Sequence, residues 1–331
     1  MKTNVFFPIP LLLLSFFLML IPSTASAAGT AYYVKAVIPE NQLDNTEDYF
    51  NIGTTATINQ TIELLITNES DENKTMELAL LDGMTTKDGA ISYDIDHKYD
   101  KSQRYKFSQV ASVEQKEITV NANSTQQVKV LLKSQTDNFD GTILGAVNIH
   151  EKEDEEQPAA GLNNVFAYNI PVKIRVNKEN KNIQLNYKGM VLAKNPLGKA
   201  IDMSFENPMP NIIRDLNLSF EIYKQGKPSD ILYKDHKSGV EIAPNSLFSP
   251  ELSLASSKLK AGDYVLKIVG KSKDIDAVWE SDFSISRSDS GYLNEGLEVL
   301  SNNNRIWVIL AVVITLMVVG GASYVFYKRK K

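Results

Sequence analysis

Apolar and polar residues alternate through much of the chain, as they do in strands with one buried face. Ile58, Ile62, Leu64 and Ile66 fall on one side of the first such segment. The same alternation recurs at residues 76–80, 128–132, 143–149, 172–176, 183–187, 201–205, 216–222, 264–268 and 283–285. A period of two residues predicts antiparallel β-strands.

Turn-forming residues separate these segments. Asp88-Gly89 and Asp140-Gly141 are turn dipeptides that precede strands. Asn207-Pro208 ends another strand, because proline cannot donate to a sheet ladder. We find no amphipathic helix of more than two turns before residue 288. Short strands at this spacing predict an all-β fold made of immunoglobulin-like β-sandwiches.

The strand segments fall into two groups. Residues 177–182, Asn-Lys-Glu-Asn-Lys-Asn, contain no apolar residue, and polar stretches of this kind are typical of domain boundaries. We therefore predict two tandem sandwiches, residues 28–177 and 183–287, followed by a polar stalk over residues 288–304. An asparagine ends one strand in each group, Asn68 in the first and Asn207 in the second, which favours two related domains.

The N-terminus has the features of an export signal. Lys2 precedes an apolar run that reaches Ile21, and the small residues Ala25-Ser26-Ala27 follow. A basic start, an apolar middle and an Ala-x-Ala exit are typical of a secretory signal peptide. We predict that residues 1–27 are removed.

The C-terminus has the features of a membrane anchor. Residues 306–327 contain no charged side chain and are long enough to cross a bilayer as a helix. A basic cluster, residues 328–331, follows directly, and such clusters face the cytoplasm. We predict a single transmembrane helix over residues 305–327, an extracellular region before it and a cytoplasmic tail after it. No Leu-Pro-x-Thr-Gly motif precedes the helix, so we expect the chain to stay in the cell membrane.

The predicted extracellular region is acidic and lacks cysteine. The formal charge of the chain is −5, and removal of the six bases in the terminal segments, which hold no acid, leaves −11. This charge repels phosphate backbones and argues against nucleic acid as a partner. Without cysteine there is no thiol chemistry or thiolate metal site. Because small exported eukaryotic domains usually carry disulfides, their absence favours a Gram-positive bacterial surface.

The sequence carries no recognisable catalytic motif. His97, His150 and His236 are far apart, although a catalytic triad assembles in space rather than in sequence. Neither Gly-x-Ser-x-Gly nor His-Glu-x-x-His occurs. We predict a protein that is not an enzyme and uses no cofactor. The alternative is a cell-wall hydrolase whose site is not visible in the sequence.

One acidic segment resembles a metal site in composition. Asp94, Asp96 and Asp100 flank His97, and alternate aspartates supply the oxygen ligands that Ca²⁺ prefers. The segment lacks the glycine and the distal glutamate of a calcium loop, which favours a solvated loop. The sequence leaves open whether these aspartates bind a metal.

Aromatic residues cluster near the start of the first predicted sandwich. Tyr32, Tyr33, Tyr49 and Phe50 lie within twenty residues of one another. Aromatic side chains fill cores, which is the commoner role, and their faces also stack on sugars. These four residues form the candidate ligand surface.

Several stretches together resemble the WxL-interacting proteins of low-GC Gram-positive bacteria. They are residues 37–42, 48–50 and 89–93 in the first half, and residues 207–213, 243–246, Phe248 and 261–264 in the second. The order of signal peptide, two β domains, transmembrane helix and basic tail is also similar.

The resemblance implies binding rather than catalysis. It implies a membrane-distal domain that binds peptidoglycan and a membrane-proximal domain that binds host proteins. The implied partners are peptidoglycan, secreted WxL-domain surface proteins and host matrix proteins. The resemblance brings no individual binding residues with it, and the sequence does not identify the oligomeric state.

Overall fold

The computed structural model describes residues 31–94, 103, 105–136, 139–152, 166–178, 182–195, 198–254, 257 and 259–286. These residues form eighteen strands and one four-residue helix, α1 (Phe107–Val110). The predicted all-β class is confirmed. In this part of the chain no helix is long and apolar enough to cross a membrane. The predicted signal peptide, stalk, transmembrane helix and basic tail lie outside the described residues.

The first sandwich has ten strands in two sheets. They are β1 (Tyr32–Val37), β2 (Phe50–Thr54), β3 (Thr57–Asn68), β4 (Lys74–Thr85), β5 (Ile91–Tyr93), β6 (Ala111–Val113), β7 (Glu117–Val120), β8 (Ser124–Gln135), β9 (Gly141–Glu151) and β10 (Ala167–Val176). One sheet has the order β1-β3-β8-β6, and the other has the order β2-β10-β9-β4-β5 with β7 paired to β4. All pairs are antiparallel except β2 with β10, which is parallel.

One apolar core lies between these two sheets. The alternation of β3 directs Ile58, Ile62, Leu64 and Ile66 inward, where they contact buried side chains from the facing strands β9 and β10. Burial of each side chain of this size contributes about 1.5–3 kcal/mol to the stability of the folded state. The outward positions of β3 alternate with these buried residues and are exposed or half-buried.

The second sandwich has eight strands in two sheets. They are β11 (Asn186–Asn195), β12 (Gly198–Asn207), β13 (Ile213–Lys224), β14 (Ile231–Ile242), β15 (Ser246–Phe248), β16 (Glu251–Ser253), β17 (Gly262–Lys271) and β18 (Asp276–Ile285). One sheet has the order β11-β12-β15 with β16 also paired to β12, and the other has the order β14-β13-β17-β18. Phe205, Phe220, Phe248 and Tyr264 fill the core between them.

Both sandwiches contain the same hydrogen-bonded corner around a buried asparagine. Asn68 ends β3 and Asn207 ends β12, and their side chains are 1% and 0% exposed. Each Nδ2 donates to the carbonyl four residues later, Glu72 at 2.7 Å in one domain and Asn211 at 2.8 Å in the other. Each Oδ1 accepts the backbone N–H two residues later, at 3.0 and 3.1 Å.

A second asparagine completes each corner. Asn123 and Asn245 have left-handed backbones, with φ of 50° and 47°, a conformation that asparagine tolerates better than most residues. Their backbone N–H groups donate at 3.0 Å to the carbonyl two residues beyond the buried asparagine. The serines that follow, Ser124 and Ser246, donate to the carbonyl three residues earlier, at 2.8 and 2.9 Å. The two domains therefore share a structural repeat.

The two sandwiches contact each other through the hairpin that joins β4 to β5. Thr85 Oγ1 lies 2.8 Å from Ser246 Oγ and accepts the backbone N–H of Ala243 at 3.0 Å. Both hydroxyl-bearing residues are buried. Next to them, the Glu241 N–H donates to the Gly89 carbonyl at 2.8 Å. Because leaving buried polar groups unpaired costs free energy, these bonds stabilise one relative arrangement of the two domains.

Two glycines allow the backbones of the two domains to approach closely. A Cβ on Gly89 would lie 2.8 Å from Val240, and a Cβ on Gly141 would lie 2.6 Å from Pro210. The predicted Asp88-Gly89 turn is confirmed, since Gly89 has φ 83° and its N–H donates to Thr86. The sequence therefore located a turn that also forms part of a domain junction.

Candidate ligand-binding surface

Two of the four candidate aromatic residues belong to the core. Phe50 is fully buried and Tyr32 is 3% exposed. The Tyr32 hydroxyl donates to the Phe166 carbonyl at 2.6 Å, and its ring packs edge-on against Tyr168 with centroids 5.4 Å apart. Burial raises the pKa of the Tyr32 hydroxyl to about 12. Neither ring has a face available for a ligand.

Tyr49 is half-buried in a hydrogen-bonded loop that leads into β2. Its hydroxyl donates to Glu47 at 2.5 Å, and the same carboxylate accepts Asn51 Nδ2 at 2.6 Å. Gln42 Nε2 donates to the Tyr49 carbonyl at 2.8 Å. Burial, with the Glu47 carboxylate beside it, raises the pKa of the Tyr49 hydroxyl. These hydrogen bonds of Tyr49 are therefore made within the loop itself, to Gln42 and Glu47.

Tyr33 is the candidate residue that faces solvent. It is 44% exposed and lies on the outer side of the β1-β3-β8 sheet, because alternation in β1 turns it away from buried Tyr32. Across the sheet it is opposite Thr67, which is in turn opposite Thr125. The two threonine hydroxyls lie 2.9 Å apart. An aromatic ring therefore sits at the end of a row of hydroxyl groups.

The neighbouring rows give this outer face a polar and weakly basic character. The next row places Lys35, Leu65 and Gln127 side by side, and the row after it holds Val37 with Glu63 and Lys129. Gln127 Nε2 donates to Glu63 at 2.6 Å. We define the Tyr33 face as the outward side chains of these three rows. A flat ring beside amides, hydroxyls and ammonium groups is suited to sugars and to carboxylate-bearing peptides.

The sequence contained the signal for the Tyr33 face, but not for the choice of residue. The period of two in β3 and β8 distinguishes outward Thr67 and Gln127 from their buried neighbours. In a Tyr-Tyr pair, however, the pattern alone does not say which ring faces solvent. The register of β1 against β3 resolves this.

The described histidines give no catalytic arrangement. His150 is held on both sides, with Nε2 3.2 Å from Glu77 and Nδ1 3.0 Å from Asn148 Oδ1. Both ring nitrogens are thus engaged, which leaves neither free to activate a nucleophile. His236 lies on β14 at the surface, and His97 lies outside the described residues.

The acidic segment around His97 is only partly described. Asp94 is described, whereas Asp96 and Asp100 are not. Within the ranges that the structure covers, no three His, Cys, Asp or Glu side chains are placed to share a metal ion.

A groove of about 390 Å³ lies where the two domains meet. Its walls include Lys87 from the first domain and Lys188, Val191 and Asp202 from the second. Lys87 is 3.6 Å from Glu251, and Lys188 is 3.3 Å from Glu206. Both lysines of this groove therefore already have acidic neighbours, and the groove lacks the exposed ring of the Tyr33 face.

These features define an all-β, two-domain protein with exposed sheet faces and no assembled catalytic site among the described residues. Residues 32–151 match the peptidoglycan binding domain of the WxL Interacting Proteins, and residues 157–295 match their host binding domain. The chain belongs to the WxL Interacting Protein family. The second match begins before β10, although β10 pairs with β9 and β2 in the first sandwich. No curated protein sequence matches the chain significantly.

Several solved structures are distantly similar. The chaperone YadV has a TM-score of 0.34 and 10% identity, with coverage of 77% of this chain and 99% of the other. The E. coli chaperone DraB has a TM-score of 0.30 and 13% identity, with coverage of 72% and 95%. A chaperone–tip adhesin complex of CFA/I fimbriae has a TM-score of 0.31 and 10% identity, with coverage of 76% and 97%. Likenesses this distant carry no information about function.

Proposed function

We propose that this chain is a non-catalytic scaffold on the outer surface of a Gram-positive cell. Its first domain binds peptidoglycan, and its second binds protein partners. The observation that carries this proposal is the pair of matches to a peptidoglycan binding domain and a host binding domain. The family name points to secreted WxL proteins as partners, and the host binding domain points to extracellular host proteins as a second class.

Two predicted segments support the location. The signal peptide over residues 1–27 would export the chain, and the helix over residues 305–327 would keep it in the cell membrane. The two domains would then stand outside the cell, with residues 328–331 in the cytoplasm. A scaffold in this position reaches both the wall and proteins held within it.

Peptidoglycan binds the Tyr33 face in this proposal. The Tyr33 ring supplies a flat apolar surface for a sugar, while Thr67, Thr125 and Gln127 supply hydroxyl and amide groups. Lys35 lies in the adjacent row and suits the carboxylates of stem peptides. Most of the binding free energy is expected from the ring and the neutral groups, so added salt should weaken binding only modestly.

Co-sedimentation with insoluble peptidoglycan tests this assignment. The full chain, purified in an uncharged detergent, is mixed with peptidoglycan at low salt and at about 0.5 M salt, where screening reduces the Debye length to a few Å. We expect the unmodified chain to sediment at both concentrations. Tyr33→Ala should lose binding at both, and Lys35→Gln should lose only the small salt-dependent part.

The outcomes separate the possible sites. Leu131→Ala removes another exposed apolar side chain from the same sheet, outside the three rows, and should not affect binding. Absence of sedimentation at any salt concentration would leave wall binding unsupported. Equal binding by the unmodified chain and Tyr33→Ala would exclude the Tyr33 face while retaining the domain assignment.

A further inference from the structure

The last strand of the second sandwich has a long unpaired edge. β18 pairs with β17 through ten consecutive residues without a shift in register. It stands at the end of its sheet, so no strand of the described chain pairs with its other side. Straight, regular edges of this length are the positions at which proteins accept an additional strand.

The free backbone groups of β18 can be identified from two hydrogen bonds. The Gln225 N–H donates to the Asp263 carbonyl at 3.1 Å, which directs residue 263 of β17 toward β13. The Ser272 N–H donates to the Ile275 carbonyl at 2.8 Å, which fixes the same alternation at the other end of the hairpin. The groups that point away from β17 therefore belong to Asp276, Val278, Glu280, Asp282 and Ser284.

An apolar seam runs beside this edge. β11 and β18 are the neighbouring end strands of the two facing sheets, and they are not paired with each other. Between them lie partly buried apolar side chains, which we call the seam: Tyr187, Met190, Leu192, Ala277 and Trp279. Tyr233 on β14 is also partly buried. On the remaining strands of this sandwich, the apolar side chains that belong to the core cluster are buried.

Trp279 is the largest side chain of the seam. Its ring packs edge-on against Phe205 with centroids 5.4 Å apart. The ring lies over Gly270, where a Cβ would come within 2.8 Å of it. The indole N–H donates to no group of the described chain. Half-buried tryptophans of this kind are common anchors of protein interfaces.

The charges on β18 indicate what kind of strand would fit. Asp276, Glu280 and Asp282 project on the outer side of the edge, and β18 has no basic residue. Among described residues, none of the three takes part in an ion pair, although Glu280 accepts the Tyr223 hydroxyl at 3.1 Å. Two copies of β18 would place acid against acid, which disfavours self-pairing.

The opposite edge of the same sheet is different. The pairing of β14 with β13 shifts register at three places, and such irregularities protect an edge from added strands. Both lysines of β14 are also paired, Lys234 at 3.1 Å from Glu221 and Lys237 at 3.7 Å from Asp88. The unpaired acids and the regular ladder are features of the β18 edge.

We propose that the β18 edge binds an extended segment of a partner protein in which apolar residues alternate with lysine or arginine. The segment adds a strand to the sheet by hydrogen bonds to Val278, Glu280 and Asp282. Its apolar side chains cover Trp279 and the seam, and its basic side chains pair with the acids on the outer side. This proposal rests on the proposed role of the second domain as a protein-binding module, and gives that role a site.

The test uses an acetylated and amidated eleven-residue peptide of alternating valine and lysine. The full chain in uncharged detergent carries Trp307→Phe, which leaves Trp279 as its single tryptophan. We expect the peptide to shift the Trp279 emission to shorter wavelength and to slow hydrogen exchange at Val278, Glu280 and Asp282. Two control peptides should bind at least about tenfold more weakly: one with glutamate in place of lysine, and one with the valines and lysines in scrambled order.

Two variants separate the backbone and charge contributions. Val278→Pro removes an outward N–H without removing a bond to β17, and should abolish peptide binding. Asp276→Lys with Asp282→Lys should reverse the preference between the lysine and glutamate peptides. Asp235→Lys makes one such substitution on the opposite edge, and should leave peptide binding unchanged.

The results distinguish this proposal from its competitors. Equal binding of the scrambled peptide, or normal binding by Val278→Pro, would overturn it. If the unmodified chain is a dimer that Val278→Pro converts to a monomer, the edge belongs to a second copy and the proposal is wrong. Val278→Pro should still co-sediment with peptidoglycan. Failure of peptide binding can therefore be distinguished from failure of peptidoglycan binding.

Discussion

The hydroxyl groups of Thr85 and Ser246 lie 2.8 Å apart at the buried junction of the two sandwiches. Thr85 also accepts the backbone N–H of Ala243. Thr85→Val keeps the shape of the side chain but leaves that N–H without its partner. We expect the variant to lose about 1–3 kcal/mol of unfolding free energy. Urea unfolding measures the loss, and Thr125→Val, at an exposed position, is the control. Equal stability of Thr85→Val and the unmodified chain would show that the bond does not stabilise the junction.

The junction also depends on the missing side chain of Gly89. Gly89→Ala places a methyl group 2.8 Å from Val240, in a backbone conformation with φ 83°. Gly226 has a similar φ of 77°, but a Cβ there meets nothing within 4 Å. Gly226→Ala should therefore cost about 1 kcal/mol from the left-handed backbone alone. Gly89→Ala should cost about 1–3 kcal/mol more, because the methyl group overlaps Val240. Thermal unfolding of both variants gives the difference, and similar losses would argue against close packing.

Much of the sandwich architecture follows from alternation, and its exceptions have physical causes. β3, β13 and β17 have a strict buried face, so the period of two predicted them. In β14 only Val240 and Ile242 are fully buried. Its many charged residues interrupt the alternation, so the sequence did not predict this strand. The segment predicted at residues 183–187 begins its pairing only at Asn186. β11 and β14 stand at the ends of their sheets, and exposed side chains such as those of β14 leave fewer buried positions for the alternation to reveal.

The junction and the Tyr33 face were less accessible to sequence reasoning. Residues 177–182 predict a boundary between domains, but the contact between Thr85 and Ser246 joins residues 161 positions apart. No local pattern encodes such a contact. Tyr32 and Tyr33 are chemically identical, and only the pairing of β1 with β3 decides which ring is buried. Long-range register therefore determines the candidate surface.

The repeated asparagine corner gives a prediction for each domain. Asn207 makes two bonds through Nδ2, to Asn211 and Ala243, and one through Oδ1, to the Met209 N–H. Asn207→Ala leaves buried backbone groups unpaired and should cost about 2–5 kcal/mol. Asn68→Ala should cost a similar amount in the first domain. Asn59→Ala, an exposed asparagine of β3, should stay within about 0.5 kcal/mol of the unmodified chain. Chemical unfolding compares the three variants, and equal stability at Asn207 and Asn59 would contradict the role of the corner.

Burial of Tyr32 predicts a loss of stability at high pH. Its pKa rises from 10.0 to about 12 in the folded chain, chiefly because burial disfavours the phenolate. A raised pKa means that the stabilising contribution is complete below pH 10 and is lost as pH rises toward 12. Unfolding free energy should therefore fall between these values. Tyr32→Phe should be less stable at pH 8, because the bond to Phe166 is lost, and should decline less steeply above pH 10. Parallel pH profiles for the two proteins would contradict this assignment.

The terminal segments predict a single orientation in the membrane. With residues 28–304 outside and 328–331 inside, protease added to intact cells whose wall has been removed should digest both β domains. An epitope tag inserted after Ala28 should disappear, whereas a tag fused after Lys331 should remain on a short protected fragment. A cytoplasmic protein that stays intact in the same sample shows that the membrane was sealed. Mass spectrometry of the purified chain should also find Ala28 at the N-terminus, since the Ala25-Ser26-Ala27 site is typical of signal peptidase substrates. Survival of the first tag, or loss of the second in sealed cells, would contradict this orientation. The basic cluster would then face outward, against the usual charge bias of membrane proteins.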